Sequence, residues 1–269
     1  MDELTGDSPP GGGENALPAR RQAQIVEFIN GEGQATAASL MSRFGVSRDT
    51  IRRDLTMLEE RGLLVRTHGG AVARGELVTS VTTLSSRMDA QINAKIRIAR
   101  QTAALIRDGE TIALNGGSTT TYLAAELGER RLLTLVTNNM RIPLAVPERC
   151  LRNLYFIGGT WMPGQQVTVG SIGFAHIAGI RADTAIIGVT ALSADGFSIG
   201  TLEEALASKA MMDLSRRVVL VADHTKFNRD AFALVAPLRA AQVLVTDKPP
   251  GGELARALAE AETQVVVCG

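Results

Sequence analysis

The segment GVSRDTIRRDL, from Gly45 to Leu55, limits the possible folds of this chain more than any other stretch. Gly45 predicts a tight turn, and Ser47 is a favoured N-cap for the helix that follows it. Ile51, Leu55 and Leu58 recur at helical spacing and form one apolar stripe, which leaves the arginines on the other side exposed. A helix that is buried on one face and cationic on the other can lie in the major groove of DNA.

The residues before this segment predict two more helices. The first begins at Pro18 and places Ile25 and Ile29 on one face. The second is short, is capped by Thr36, and points Leu40 inward. Together with the helix after the Gly turn, they make a three-helix arrangement.

The residues after the segment predict a β-hairpin. The third helix runs from Ser47 to about Arg61 and ends at a glycine, a common helix-ending residue. Two runs, 63–66 and 71–74, then flank His68-Gly69-Gly70. Three helices followed by a hairpin predict an α+β winged helix-turn-helix domain.

The second part of the chain alternates between β and α patterns. Short apolar runs lie at 111–114, 132–136, 154–157, 184–189, 218–222, 242–245 and 264–267. Helical patterns separate most of them, at 95–107, 119–127, 202–215 and 252–261. Apolar runs of this length, separated by helices, predict an α/β domain with a mainly parallel sheet that is covered on both faces.

Composition completes the predicted organisation. The apolar share of 45% in 269 residues suffices for about two domains. Gly, Pro and acids dominate the first 17 residues, which cannot bury enough surface to fold. We therefore predict four regions: a disordered tail at 1–17, the winged helix-turn-helix DNA-binding domain at 18–74 with its helix-turn-helix at about 34–53, a linker at 75–92, and the α/β domain at 93–269.

Charge and cysteine usage indicate a DNA-binding protein of a reduced compartment. The net charge is zero, yet residues 18–74 carry nine Arg against six acids, and that local excess is what matters for nucleic acid. Cys150 and Cys268 make no disulfide framework. No apolar run approaches the roughly 20 residues of a membrane span, and the N-terminus has no secretory pattern. We expect a cytoplasmic protein without a membrane partner, associated with the nucleoid when it is bound to its operator.

The first turns of the third helix hold the candidate base-reading residues. An arginine can bind guanine through two hydrogen bonds, while a helix N-terminus can bind a phosphate. The hairpin is expected to contact the DNA backbone or the minor groove. The candidate DNA-binding residues are Ser47, Arg48, Thr50, Arg52, Arg53, Arg66 and His68. The alternative is an ordinary amphipathic helix with a solvated arginine face, but turn, cap, stripe and hairpin all agree with DNA binding.

Small and polar residues follow the apolar runs of the second domain. In open α/β sheets, ligands bind beyond the carboxyl ends of the strands, so these residues predict one crevice. The candidate effector-binding residues are Gly116, Gly117, Ser118, Thr119, Thr120, Asn138, Asn139, Gly158, Gly159, Asp195, Glu204, Asp223 and Lys226.

The Gly-Gly-Ser-Thr-Thr turn is the best phosphate candidate, because its glycines admit close approach and a helix begins there. The alternative is a plain strand-to-helix turn with an N-cap. It lacks the Gly-Lys-Ser/Thr ending of a Walker loop, so nucleotide hydrolysis is not implied. Lys226 could add a cation, and the carboxylates could accept sugar hydroxyl protons. His176 and His224 have no Cys or His partners at ligand spacing, so we expect no metal and no cofactor.

The sequence resembles the DeoR family of bacterial transcriptional regulators. The resemblance rests on FGVSRDTIRRDLTMLEERGLLVRTHGGA in the first domain and on KIRIARQTAALIRDGETIALNGGSTT, LVTNN, FIGG, LVADHTKF and VLVTD in the second. It covers essentially everything after residue 17. It implies that 93–269 is an effector-binding domain related in fold to ribose-5-phosphate isomerases and glucosamine-6-phosphate deaminases. It also implies a phosphorylated sugar or related metabolite as inducer. Where the family pattern has Asp-Ser-Ser-Lys, this chain has Asp223-His224-Thr225-Lys226.

The expected function is that of a metabolite-responsive repressor of a carbohydrate-utilisation operon, which binds double-stranded operator DNA as a dimer or tetramer. Two alternatives stay open. One is a working sugar-phosphate isomerase or deaminase with Asp195 or Glu204 as its base. The other is an activator, or a regulator that responds to a non-phosphorylated ligand.

Overall fold

The computed structural model of the chain describes residues 18–32, 34–61, 63–67, 70–73, 77–78, 83–175 and 177–269. The tail predicted at 1–17 lies outside these ranges, as do the predicted helix end at Gly62 and the residues His68 and His176. The chain divides into two compact units, Met1–Arg74 and Gly75–Gly269.

The first unit is a winged helix-turn-helix, as predicted. Its elements are α1 (Pro18–Glu32), β1 (Gln34–Thr36), α2 (Ala37–Phe44), α3 (Arg48–Glu60), β2 (Leu64–Thr67) and β3 (Gly70–Ala73). The hairpin strands β2 and β3 pair antiparallel. The sequence did not predict β1, which pairs with β3 and makes the wing a three-stranded sheet. The predicted stripe of Ile51, Leu55 and Leu58 is buried against α1 and α2.

The turn between α2 and α3 follows the sequence pattern closely. Gly45 adopts a left-handed φ of 63°, which favours glycine, and its N–H donates to the carbonyl of Met41 at 2.9 Å. Ser47 then caps α3, and its hydroxyl accepts from the N–H of Thr50 at 3.3 Å. The same arrangement at Thr36 starts α2. These local interactions fix where the exposed face of α3 begins.

A buried ion pair, which the sequence pattern did not predict, joins α1 to α3. Arg21 Nε lies 2.7 Å from Asp54 Oδ2, and Gln22 Nε2 donates to Asp54 Oδ1 at 2.9 Å. All three residues are buried. A buried carboxylate is stable only when its oxygens are paired in this way, so Asp54 ties α3 to α1 on the side away from solvent.

The second unit consists of short strands and helices that alternate. Its strands are β4 (Leu77–Val78), β5 (Thr111–Leu114), β6 (Leu133–Thr137), β7 (Leu151–Phe156), β8 (Thr160–Met162), β9 (Val167–Val169), β10 (Ala182–Gly188), β11 (Ala191–Ser193), β12 (Gly196–Ile199), β13 (Ser215–Val221), β14 (Asp230–Ala231), β15 (Ala233–Ala236), β16 (Val243–Thr246) and β17 (Gln264–Val267). Its helices are α4 (Leu84–Asp89), α5 (Ile92–Ala104), α6 (Ser118–Ala125), α7 (Ile142–Ala145), α8 (Ser171–Phe174), α9 (Leu202–Asp213) and α10 (Gly252–Glu260).

The seven predicted apolar runs are the seven strands of one parallel sheet, in the order β17-β16-β13-β10-β5-β6-β7. From β5 the chain first adds β6 and β7 on one side. It then returns to place β10 on the other side of β5 and continues outward to β17. The strand order therefore reverses between β5 and β10. Such a reversal opens a crevice at the carboxyl ends of the two strands.

Both faces of this sheet are covered, as the continuous apolar runs predicted. Alternate residues of the strands enter two separate cores: Ala185 and Ile187 face one, while Ile186 faces the other. Helices α9 and α10 contribute to the first core, and α5 and α6 to the second. None of the helices in the described ranges has the length and apolarity needed to span a bilayer.

The predicted linker at 75–92 is partly helical and partly paired in a sheet. It contains α4, which Thr83 caps, and Leu84 in α4 is fully buried. It also contains β4, which pairs with β14 of the same unit. The sequence had indicated only weak periodicity here, because a helix of six residues is too short to establish a pattern.

Candidate functional site

The first candidate site is the outer face of α3. Arg48, Arg52 and Arg53 are all exposed there. The nearest carboxylate contact joins Arg52 to Asp49 at 3.9 Å, with both side chains largely in solvent, and an ion pair of that kind is weak. The guanidinium groups are thus available to an external acceptor.

The remaining predicted DNA contacts are only partly described. Ser47 is exposed and Thr50 is half-buried, and each is engaged in the cap of α3. Arg66 lies in β2 of the wing, with its backbone paired to Ala71. His68 falls outside the described residues. Contact of these seven residues with DNA stays a prediction.

The second candidate site is a cavity at the reversal of strand order in the parallel sheet. Its lining combines the ends of β5 and β10 with residues of α4, α5, α9 and the segment after β13. The lining residues are Arg87, Lys95, Gly116, Gly117, Ser118, Thr119, Gly188, Val189, Thr190, Ile199, Glu204 and Lys226. Six of them were predicted from the sequence: Gly116, Gly117, Ser118, Thr119, Glu204 and Lys226.

The loop after β5 is braced across the reversal. Asn115 Nδ2 donates to the carbonyl of Gly188 at 2.9 Å, and the N–H of Gly188 donates to Asn115 Oδ1 at 2.8 Å. A side chain at Gly116 would place its Cβ 2.2 Å from Val167. Close packing therefore requires a glycine at this position. Together with the hydrogen bonds between Asn115 and Gly188, this packing holds the start of α6 at the cavity.

The start of α6 presents unused donors to the cavity. No side chain caps this helix. Ser118 and Thr119 are nearly buried, and their hydroxyls form no hydrogen bond with any other described residue. The first N–H groups of a helix carry partial positive charge and point outward. Hydroxyls and N–H groups together form a surface suited to an anion.

Three basic side chains surround the same space. Lys226 was predicted, whereas Arg87 on α4 and Lys95 on α5 were not. Lys95 is 3% exposed, and its ammonium donates to the carbonyls of Arg87 and Ala90. Sequence reasoning missed both residues, because neither a short helix nor the first turn of a longer one shows in its sequence whether a basic side chain is solvated or enclosed.

Burial changes the titration of the charged groups in this cavity. It lowers the pKa of Lys95 to about 8, with the neighbouring charge of Asp223 acting in the opposite direction. Burial likewise lowers the pKa of Lys226 and of Arg87, and it raises the pKa of Glu204. Each shift favours the neutral form, so the cavity as it stands holds its charges at a cost. An anionic ligand would offset that cost for the three basic groups, and it would further favour the neutral form of Glu204.

Three of the predicted residues do not line the cavity but hold the backbone of segments that do, namely the loop after β5 and the turn of Lys226. Thr120 is fully buried and donates to the carbonyls of Asn115 and Gly117. Asn139 donates to the same Gly117 carbonyl at 3.3 Å. Asp223 is buried and accepts from Thr225, which positions the turn that carries Lys226.

Four predicted residues lie elsewhere. Asp195 is exposed in the turn between β11 and β12, a hairpin outside the parallel sheet. Gly158 and Gly159 are exposed after β7, the edge strand. A Cβ at Gly159 would lie 2.3 Å from the carbonyl of Val169, so this glycine serves the β8–β9 hairpin. Asn138 is buried and donates to Thr168 of that hairpin.

His224, where the family pattern has serine, is held by the end of the neighbouring strand. Its Nδ1 lies 2.7 Å from Asp247 Oδ2, and its backbone N–H donates to Asp247 Oδ1 at 2.7 Å. Lys248 Nζ lies 3.1 Å from the other ring nitrogen. His224 does not line the cavity. Its contacts with Asp247 hold the turn that carries Lys226.

Anion binding in this cavity is expected to weaken as pH rises from 7 to 9.5. Lys95 is cationic below its pKa of about 8 and neutral above it, whereas a phosphate monoester is already a dianion across most of this range. Loss of one charge-assisted hydrogen bond of about 1.5 kcal/mol weakens binding roughly ten-fold. Isothermal titration with a sugar phosphate measures this. Lys95→Arg stays protonated, and an unchanged pH slope in that variant would contradict the assignment.

Two family models match the chain, one for each unit. The DeoR-like helix-turn-helix domain matches residues 21–76, and the DeoR C terminal sensor domain matches residues 90–248. The second match alone spans more than half of the chain. The matched ranges contain α3 and most of the cavity lining.

Curated relatives align over nearly the whole chain. The transcriptional repressor AccR of Agrobacterium fabrum is 33% identical over 84% of this chain and 88% of that protein. The glycerol-3-phosphate regulon repressor of Escherichia coli is 30% identical over 93% of this chain and 98% of that protein. Among solved structures, ribose 5-phosphate isomerase A of Neisseria gonorrhoeae aligns with 16% identity and a TM-score of 0.35, over 49% of this chain and 52% of that chain.

Proposed function

Because this chain belongs to the DeoR family of transcriptional regulators, we propose that it represses a carbohydrate-utilisation operon and leaves its operator when a phosphorylated sugar or related metabolite binds. The first unit reads the operator through α3 and the wing. The second unit holds the effector in the cavity at the strand-order reversal. The two activities are linked by a coupling free energy, and about 1–3 kcal/mol would change operator affinity roughly 5- to 150-fold.

The single observation that supports a phosphorylated ligand is the combination of charges in the cavity. Arg87, Lys95 and Lys226 meet the uncapped start of α6 in one space. The acids whose charges act on these cations are Glu204, whose charged form is disfavoured by burial, Asp223 and Asp89. A phosphate monoester matches this excess of positive charge and these donors. The name of the Escherichia coli relative refers to a phosphorylated triol, glycerol 3-phosphate.

The DNA-reading role implies an oligomer. One recognition helix reads only a few base pairs, so a palindromic operator requires at least two copies of the chain. We propose a homodimer or a homotetramer, bound to double-stranded DNA. A protein that acts on the chromosome in this way works in the cytoplasm, at the nucleoid while it holds its operator.

An enzymatic role is the competing function, since Glu204 with its raised pKa lies in the cavity and could act as a base. Two features favour binding without turnover. The Glu204 carboxylate accepts from Thr201 at 3.0 Å in the cap of α9, which engages it in structure. The other candidate base, Asp195, is exposed outside the cavity lining. We propose that the chain is not an enzyme.

A panel of sugar phosphates is expected to contain a compound that lowers operator affinity and is recovered unchanged. The measurement is fluorescence anisotropy of an operator duplex, selected from random sequence, at increasing ligand concentration. NMR of the same samples would detect conversion of the ligand. Operator affinity that is constant across the panel, or ligand that is consumed, would count against this proposal.

The double variant Thr119→Val, Lys226→Ala provides the control for the site. It removes one hydroxyl and one ammonium from the cavity and leaves the first unit untouched. Charge-assisted hydrogen bonds contribute about 1.5–3 kcal/mol each, so we expect at least a ten-fold loss of ligand affinity with unchanged operator affinity. The variant would hold DNA and fail to respond.

A further inference from the structure

Helix α4 occupies a particular place in the chain. Residues 75–83 are all that separate its first residue, Leu84, from the end of the first unit at Arg74. Its last residue is followed almost at once by α5, which belongs to the parallel-sheet layer. Any signal that passes along the chain from the cavity to the first unit runs through α4.

Two contacts hold α4 independently of the cavity. Leu84 is fully buried, and its N–H donates to the carbonyl of Gly164 at 2.7 Å. At the other end, the hydroxyl of Tyr122 donates to the carbonyl of Met88 at 3.2 Å. Neither Gly164 nor Tyr122 lines the cavity.

Two further contacts hold α4 through groups that do line the cavity. The ammonium of Lys95 donates to the carbonyls of Arg87 and Ala90 at the end of the helix. Arg87 Nη2 donates to the side-chain carbonyl of Gln165. An ammonium has three protons and a guanidinium has five, so both groups keep donors for a ligand while they hold α4.

Four buried side-chain atoms of the described residues have no hydrogen-bond partner, and Arg87 Nε is the one of them that belongs to the cavity lining. Buried donors nearly always have a partner, and one on a charged group is the most costly to leave unpaired. Because Arg87 lines the cavity beside Lys95 and Lys226, the missing acceptor is best supplied by an anion in that space.

We infer that Arg87 binds the anionic group of the effector through Nε, and that this added bond anchors α4 more firmly when the cavity is occupied. The inference rests on the proposed function, since it takes the cavity as the effector site. The anion breaks none of the contacts that hold α4. It adds one contact at Arg87 and one at Lys95, so occupancy restrains the segment that leads to the first unit.

Hydrogen–deuterium exchange of the full-length protein tests this inference. The probe is inorganic phosphate, compared with sodium chloride at equal ionic strength. We expect exchange to slow at least three-fold both in the loop 115–121 and in the segment 84–90. In Arg87→Ala, phosphate should bind at least ten-fold more weakly, and at saturation it should slow exchange in the loop as in the wild type but in 84–90 by a clearly smaller factor, the part that Lys95 supplies.

Two further variants separate binding from fold. Arg87→Lys restores charge but cannot reproduce the guanidinium geometry, so an intermediate affinity is expected. Arg100→Ala removes an exposed guanidinium of α5, paired with Glu126 at 3.3 Å, and should behave as the wild type. Arg87→Ala that binds phosphate as tightly as Arg100→Ala would overturn the role of Arg87.

The outcomes for α4 also distinguish this inference from the proposed function. If phosphate slows exchange in the loop of the wild type while 84–90 is unchanged, the inference fails and the proposed function stands. If neither segment responds to phosphate or to any sugar phosphate, the proposed function fails and the inference fails with it.

Discussion

The double variant Arg52→Ala, Arg53→Ala is expected to lose operator recognition by roughly a hundred-fold or more. Each arginine that binds a base edge through two hydrogen bonds contributes about 1–3 kcal/mol of discrimination, and 1.4 kcal/mol corresponds to a factor of ten. Both side chains are exposed on the outer face of α3, so their loss does not disturb the buried stripe. Anisotropy titrations against the operator duplex and a scrambled duplex measure the effect.

Arg61→Ala is the matched control for this variant. It also removes an exposed arginine from α3, but at the C-cap, the end opposite to the predicted base-reading turns. It should reduce binding to both duplexes by a similar and small factor, because it removes one positive charge that attracts the DNA backbone whatever the base sequence. If Arg61→Ala abolished recognition while the double variant did not, the assignment of the base-reading end of α3 would be wrong. Ligand affinity should be unchanged in all of these variants.

Asp54→Ala is expected to destabilise the first unit by about 3–5 kcal/mol, because it removes the buried carboxylate that pairs with the guanidinium of Arg21. Arg21 Nε lies 2.7 Å from the Asp54 carboxylate, and Gln22 also donates to it. A loss of this size is a large part of the stability of a small domain. Hydrogen exchange of α1 and α3 in the full-length protein should become about a hundred-fold faster or more, and operator affinity should fall.

Asp49→Ala gives the comparison on the same helix. Its contact with Arg52 is 3.9 Å long and lies in solvent, and such pairs contribute about 0–1 kcal/mol. Protection of α1 and α3 should therefore stay close to that of the wild type. Equal protection in Asp54→Ala and Asp49→Ala would show that the buried pair does not hold the two helices together.

The parallel sheet was the most predictable part of the fold. Strands that are buried on both faces read as continuous apolar runs, and each of the seven runs became a strand. The strand β1 and the hairpin strands β8 and β9 were not predicted. Each has three residues, which is too few for a periodic signal. Strand β1 in addition depends on β3, a partner on the far side of α2 and α3 in the sequence.

The candidate cavity was predicted in part, for a similar reason. The rule that ligands bind beyond strand ends applies to parallel strands near a reversal of strand order. It succeeded for the loop after β5. It failed for Asp195, which follows a strand of a small antiparallel sheet, and for Gly158 and Gly159, which follow the strand at the sheet edge. The pairing of strands in the folded sheet decides which strands lie next to the reversal. The apolar pattern of the sequence does not contain the strand order.

The pairing of β5 with β10 also bears on how the chain acquires its cavity during synthesis. These neighbours are about 70 residues apart in sequence, with Thr184 beside Ile112, and contacts of such separation form late and slowly. The first unit, in contrast, closes over short separations. The first unit of a nascent chain can therefore fold as it emerges from the ribosome, before Asn115 contacts Gly188. The DNA-binding unit is then folded before the cavity of the second unit is complete.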